Sequence, residues 1–220
     1  MHNKIDLFNQ TINEIEKIWS INKKLSDFVN FPKNLVLKEK SNNKINVTNI
    51  LLDWKLEDNH KFEKLHNLIS NLSPFVSWDN GYNENEVGKE FLNKYGFFEL
   101  IGPTGHFETT DMALYVNFLD MNSHYPWHNH EAEELYFIVS GEAKFEKGNE
   151  APVILKPEDT CFHKSYQSHR ITTTNKKILS FVIWKNKFEN VSKIVDPKEL
   201  YNVLQRFKRR AKSKSYNHKR

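Results

Sequence analysis

A chain of 220 residues can bury one sizeable core, or a smaller one with a substantial extension. Its one cysteine, Cys161, excludes an internal disulfide and a thiolate cluster; no apolar run reaches membrane-spanning length, and Asp6, Glu14 and Glu16 stand where a signal peptide would be apolar, so a cytoplasmic protein is expected. The formal net charge of +4 hides a split: residues 206–220 carry +8 and no acid, which leaves −4 on residues 1–205 and makes the end of the chain a solvated basic tail.

Residues 5–19 place Ile5, Phe8, Ile12, Ile15, Ile18 and Trp19 near helical spacing and predict an amphipathic helix. The stretch 30–56 holds Pro32 and a polar run from Lys38 to Lys44 and reads as loop, with no decided period over 50–56. A second helix is predicted over 60–72, carried by Phe62, Leu65, Leu68, Ile69 and Leu72 and stopped by Pro74. A third covers 84–95, with Gly96 expected in the left-handed position just past its end.

From Phe97 onward the texture changes to short runs of β-branched and aromatic residues: 97–101, 113–119, 134–139, 142–145, 153–155, 169–174 and 178–184. Such short strands with frequent turns predict an antiparallel sandwich or small barrel. Ser140-Gly141 joins two of them, and Lys147-Gly148-Asn149 joins the next pair as a hairpin. Asp196-Pro197-Lys198-Glu199 then caps a C-terminal helix with Leu200, Val203, Leu204 and Phe207 on one stripe. The predicted organisation is a helical extension over 1–96, a barrel over 97–190, and a C-terminal helix with its basic tail over 191–220.

The chemistry concentrates at His128-Asn129-His130, followed by Glu134 and Tyr136. In one extended strand these side chains share a parity and point into one cavity. A single histidine in a strand is ordinarily a packed or surface residue; this combination points to a metal site. Nitrogen and oxygen donors without thiolate suit Fe2+, Mn2+, Zn2+, Co2+ or Ni2+. A fourth donor must come from a distant strand, where His169 opens one β-branched run and His163 is its rival; His106 and His124 lack the spacing. Alternation sets Tyr115, Asn117 and Leu119 on one face, opposite Leu114, Val116 and Phe118, and turns Glu133 away from the face of Glu134. Cys161 reads as a small buried filler.

The strand order, the His-x-His-x-x-x-Glu pattern with Gly141 behind it, and Pro157-Glu158-Asp159 followed by His resemble the cupin superfamily over 97–190. Glu158-Asp159 stand where the second cupin motif has Gly near its Pro. The run Tyr125-Pro126-Trp127-His128-Asn129-His130-Glu131-Ala132-Glu133-Glu134-Leu135-Tyr136, then Ser140-Gly141-Glu142-Ala143, is similar to the cupin-type dimethylsulfoniopropionate (DMSP) lyases. His163-x-Ser165, His169, Thr172-Thr173 and the aromatic strand ending at Trp184 agree with the same family.

That resemblance implies a mainly β fold: a single cupin β-barrel, a double-stranded β-helix or jelly roll, with an α-helical N-terminal extension. It implies one divalent metal ion on His128, His130, Glu134 and His169, and β-elimination of DMSP to acrylate and dimethyl sulfide. Tyr136 is the expected base, with Tyr125 second as base or as donor to the substrate carboxylate. Trp127, Tyr115, Trp184 and Phe181 are the aromatic faces offered to the sulfonium, and His163 joins the substrate-binding set. The partner is then a zwitterionic sulfonium carboxylate, without membrane or nucleic acid, and a homodimer is left open. Two other readings use the same ligands: another metal-dependent cupin enzyme, a dioxygenase or isomerase on a small organic acid, and a cupin sensor module. Oxygen uptake separates the first; against the second, no helix-turn-helix pattern follows the barrel.

Overall fold

The apolar stripe of Phe8, Ile12, Ile15, Ile18 and Trp19 lies buried along one helix, α1 (Lys4–Ile21), in the computed structural model of the chain. The structure describes residues 4–57, 60–148, 150–188 and 190–196, so the predicted C-terminal helix and basic tail lie outside the described residues. Trp19 donates its indole N–H to the Val29 carbonyl at 2.9 Å, folding α1 against the short α2 (Lys23–Phe28), whose first turn is capped by the Asn22 side chain. The undecided stretch before residue 56 contains α3 (Asn46–Asp53), where the Thr48 hydroxyl accepts the Ile45 N–H at 3.1 Å. The helix predicted over 60–72 is α4 (Glu63–Leu72), and Pro74 sits in a 3-10 turn, Ser73–Phe75, directly after it. No described helix is long and apolar enough to cross a membrane.

The helix expected over 84–95 is two short ones, α5 (Glu84–Val87) and α6 (Lys89–Lys94), because Gly88 between them takes φ 79° and breaks the ladder. Gly96 is not a left-handed cap but the second residue of a strand. A Cβ there would lie 2.6 Å from Ile45 Cδ1 and 2.8 Å from Val47 Cγ2, so the residue is small to let α3 approach the sheet. A Gly96→Ala change would overpack that contact, at a cost of about 1–3 kcal/mol.

The strands are β1 (Tyr95–Gly102), β2 (Phe107–Glu108), β3 (Ala113–Leu119), β4 (His124–Asn129), β5 (Glu133–Gly141), β6 (Ala143–Lys147), β7 (Val153–Leu155), β8 (Thr160–His163), β9 (His169–Thr172), β10 (Ile178–Lys185) and β11 (Lys193–Ile194). They form two sheets, ordered β2-β1-β3-β10-β5-β8 and β11-β4-β9-β6-β7. This is the mainly β, two-sheet fold with a helical extension that the sequence predicts. Every predicted strand is present, and β6 pairs with β7 antiparallel as expected of a hairpin. The strands that patterning missed, β2, β4, β8 and β11, are two residues long or carry polar residues on both parities.

One sheet is buried on both faces, which separates the core in two. Leu114, Val116, Phe118, Phe137 and Phe181 pack outward against the helices, so Phe181 faces away from the barrel interior. Tyr136, Ile138 and Val182 face inward, toward Tyr125, Phe145 and Ile171 of the second sheet. His66 pins the helical layer to this sheet: one ring nitrogen meets Ser140 Oγ at 2.8 Å and the other the Trp54 carbonyl at 2.9 Å. In the turn before β8, Glu158 takes φ 79°, the conformation that glycine adopts readily, and its carboxylate pairs with Lys61.

Candidate metal centre and active-site cavity

The motif is not one strand. Strand β4 ends at Asn129 and β5 begins at Glu133 in the other sheet, with His130, Glu131 and Ala132 carrying the chain across. His128 and Glu134 therefore meet from facing sheets, where parity along a single strand was the expectation. His169 joins them because it is the direct ladder partner of His128 between β9 and β4, with ring centroids 4.1 Å apart.

Glu134 sits at the middle of this group. Its Oε1 lies 3.1 Å from His130 Nε2 and its Oε2 3.1 Å from His169 Nε2, and all three side chains are buried. Each histidine engages its Nδ1 with a backbone carbonyl two residues away: His128 with Pro126 at 2.8 Å, His130 with Ala132 at 2.9 Å, and His169 with Gln167 at 2.8 Å. A carbonyl only accepts, so Nδ1 carries the proton and Nε2 keeps its lone pair. The Nε2 atoms of His130 and His169 are buried without a hydrogen-bond partner. Lone pairs facing carboxylate oxygens at 3.1 Å repel unless a positive charge lies among them.

The donor atoms of His130, Glu134 and His169 lie within 4.8 Å of one another and fit a divalent ion; His128 packs its ring on His169 beside this triad, outside that donor grouping. The Glu134 carboxylate also favours positive charge on the imidazoles around it. Burial opposes the charge on Glu134, yet His130 and His169 hold its carboxyl well below the usual range. Burial also works against a charged His130, but the Glu134 carboxylate outweighs it and raises that imidazole. Burial and then His169 keep His128 well below its ordinary value, as a neutral donor.

His163, expected at the substrate, lies behind the cluster. Its Nδ1 is 2.6 Å from Glu134 Oε2 and its Nε2 is 3.4 Å from Cys161 Sγ. Burial pushes it down to about 3, so the neutral ring donates Nδ1–H to the carboxylate. The Trp184 indole donates to the other oxygen, Oε1, at 2.9 Å. Both are cross-strand neighbours of Glu134, His163 on β8 and Trp184 on β10. The strand β8 was not predicted, and without it the pairing was invisible.

Beside the cluster lies a cavity of about 240 Å³, walled by Tyr82, Tyr95, Tyr115, Tyr125, Tyr136 and Trp184. Tyr125 stacks on His128 with ring centroids 3.8 Å apart, and its hydroxyl meets those of Tyr82 at 2.8 Å and Tyr95 at 3.4 Å. Tyr115 packs edge-on against Trp184 at 5.3 Å. Tyr82 and Tyr95 were missed: the first precedes α5 in a loop, and the second was read as the end of a helix. Burial raises the hydroxyls of Tyr125 and Tyr136 well above the ordinary value, and the Glu134 charge adds to the effect at Tyr136.

Trp127, also expected at the substrate, faces the other way. Its ring carries the Arg170 guanidinium at 4.9 Å, and Arg170 makes two bonds of 2.9 Å to Glu146. His106 stacks near Phe8 and His124 bonds the Thr172 hydroxyl, both away from the cluster. Cys161 is buried, and burial pushes its thiol up to about 11, as suits a filler. Glu133 pairs across the ladder with Lys185, on the parity opposite to Glu134.

Residues 26–180 match the family of dimethylsulfoniopropionate lyases. The DMSP lyase DddQ of Ruegeria pomeroyi is 32% identical over 122 residues, which is 56% of this chain and 61% of that protein; the match thus spans less than two thirds of the relative's length. A chain from the crystal structures of the DMSP lyases RdDddP and RnDddQII superposes with a TM-score of 0.84 at 28% identity, covering 88% of this chain and all of that one. The crystal structure of DddQ from Ruegeria pomeroyi superposes with a TM-score of 0.81 at 24% identity, over 87% of this chain and 98% of that one, a likeness of fold.

Proposed function

The chain belongs to the dimethylsulfoniopropionate lyase family, and on that footing we propose that it holds one divalent metal ion and cleaves DMSP by β-elimination to acrylate and dimethyl sulfide. The observation that carries the reading is one cavity in which the carboxylate-centred histidine cluster, Tyr136 and an aromatic wall meet. His128, His130, Glu134 and His169 would hold the ion, drawn from Fe, Mn, Zn, Co or Ni. When bound, it would supply positive charge there, drawing charge from the substrate carboxylate and offsetting the Glu134 charge that, with burial, holds Tyr136 protonated.

The remaining work falls to side chains. Tyr136 shares the inward face of β5 with Glu134, two residues on, and its phenolate oxygen takes the proton from the carbon next to the substrate carboxylate. As the carbon–sulfur bond breaks, sulfur keeps the bonding pair and leaves as a neutral thioether, so no acid is required. Tyr125, ordered by Tyr82 and Tyr95, donates a hydrogen bond to the carboxylate and positions it. Trp184 and His163 fix both oxygens of Glu134. The faces of Tyr115 and Trp184 receive the sulfonium, each good contact contributing about 0.5–2 kcal/mol once the cation is desolvated.

Headspace gas chromatography on metal-reconstituted and chelated protein mixed with DMSP tests the reading. Equimolar dimethyl sulfide and acrylate from the metal-loaded sample alone, without oxygen uptake, is the expected result. No release with any of the five ions would overturn it and leave an oxygen-dependent cupin reaction as the reading to pursue.

A further inference from the structure

A second carboxylate stands on the cavity wall, and the elimination as described does not use it. Glu99 lies on β1 directly opposite Tyr115 of β3. It lines the 240 Å³ cavity and also a neighbouring polar cavity of about 300 Å³, and Phe97, Thr104 and Tyr115 are the other walls the two share. Glu99 is thus placed where the two cavities meet. One oxygen accepts the Thr104 N–H at 3.1 Å and the other the Thr104 hydroxyl. Among the described residues it makes no ion pair; burial raises its carboxyl, and the bonds from Thr104 and then the charge of Lys40, whose ammonium bonds the Thr104 carbonyl, act against that rise.

Aromatic rings connect this carboxylate to the histidine cluster. Phe97 packs edge-on to Tyr115 at 5.7 Å, Tyr115 edge-on to Trp184 at 5.3 Å, and Trp184 bonds Glu134. Tyr115 lies within the electrostatic reach of both acids, since burial, then Glu99, then Glu134 push its hydroxyl up. The cavity is therefore polar in a directed sense: ligand donors for a cation that can take a carboxylate at one end, a half-buried negative charge at the other, and rings between.

We propose that Glu99, with Phe97 and Tyr115, forms a cation-recognising subsite that takes the sulfonium end of the substrate while the histidine cluster takes its carboxylate end. This rests on the lyase reading for the identity of the cation. The rings alone accept a neutral group of the same shape nearly as well as a cation, whereas a half-buried carboxylate with hydrogen bonds but no ion pair adds an attraction that only a cation gains, which makes the site discriminate by charge. The bland role for Glu99 is to brace the turn at Thr104. Glu99→Gln separates the two, because the amide can still accept the Thr104 N–H and meet its hydroxyl while carrying no charge.

The test uses metal-loaded full-length protein and two probes that need no turnover, trimethylsulfonium and uncharged tert-butanol, with propionate as a carboxylate lacking the cation. Calorimetry on the unaltered protein should show trimethylsulfonium bound at least about tenfold more tightly than tert-butanol. Glu99→Gln should erase that difference, leave propionate binding within about twofold, and raise KM for DMSP about ten- to a hundredfold with kcat little changed. Equal binding of the two probes by the unaltered protein overturns the subsite without reliance on any variant. Parallel loss of propionate and sulfonium binding in Glu99→Gln also overturns it, in favour of the bracing role. If the unaltered protein releases no dimethyl sulfide, the lyase reading fails, while the probe comparison still decides whether the subsite exists.

Discussion

The Trp184 indole N–H and the Glu134 carboxylate are directly paired across β10 and β5 and joined by a 2.9 Å hydrogen bond. The bond holds the central acid of the histidine cluster from one side while His163 holds it from the other, at 2.6 Å. Trp184→Phe keeps a ring against Tyr115 and removes the donor. Loss of one such outer partner weakens metal retention by about 10–100-fold. Chelator competition monitored by metal analysis checks this; unchanged affinity would show that the indole serves the cavity wall alone.

Removal of a member of the cluster itself acts more severely. Replacement of His130 or Glu134 with Ala takes away a buried donor whose neighbours sit within 4.8 Å. Purified His130→Ala and Glu134→Ala should retain no stoichiometric metal. In the unaltered protein, added metal should raise the unfolding temperature, by about 2.7 kcal/mol of stabilisation at a hundredfold excess over Kd. Calorimetric scans with and without ion should show that rise abolished in both variants, and its persistence would place the ion elsewhere.

Tyr136→Phe removes one oxygen from a residue that is 2% exposed and leaves the ring packed against Phe145. Metal content should be unaltered, and turnover should fall by about a hundred- to ten-thousandfold, the usual weight of a positioned base. Tyr125→Phe should instead raise KM for DMSP, since that hydroxyl, oriented by those of Tyr82 and Tyr95, positions the substrate carboxylate and does not take the proton. Headspace assays on the two variants assign the roles, and full turnover in Tyr136→Phe would exclude it as the base.

How far the sequence reached is clearest at this site. His128, His130 and Glu134 are legible as a group because their types and spacing are local, although the single-strand parity that first grouped them is replaced by a crossing between sheets; His169 joins them from a distant strand, with His163 as its rival, and only the family resemblance singles it out. Tyr82, Tyr95 and Glu99 were not legible as cavity residues. They come from a loop and from β1, and only tertiary pairing brings them beside β4 and β5. Trp127 misled for the opposite reason: it lies inside the motif, yet the β4 pleat turns it out to Arg170. Gly96 read as a helix cap because glycine usually ends helices, whereas here Ile45 and Val47 of the helical layer demand its small size.

A further consequence concerns stability at acid pH, away from the histidine cluster around Glu134. His106 accepts the Ser77 N–H at its Nε2 at 3.3 Å and packs on Phe8, and burial followed by Lys40 and Lys4 push it down to about 4. The folded protein therefore refuses a proton that the unfolded chain takes up near its ordinary value of about 6.5. Unfolded molecules bind the extra proton between those values, so stability is full above pH 6.5 and falls as pH drops toward 4, by at most about 3 kcal/mol. His106→Gln keeps an acceptor for Ser77 and removes the titration. Urea midpoints measured from pH 7.5 to 4.5 should fall less steeply in the variant than in the unaltered protein, and parallel slopes would show that His106 takes no part in acid unfolding.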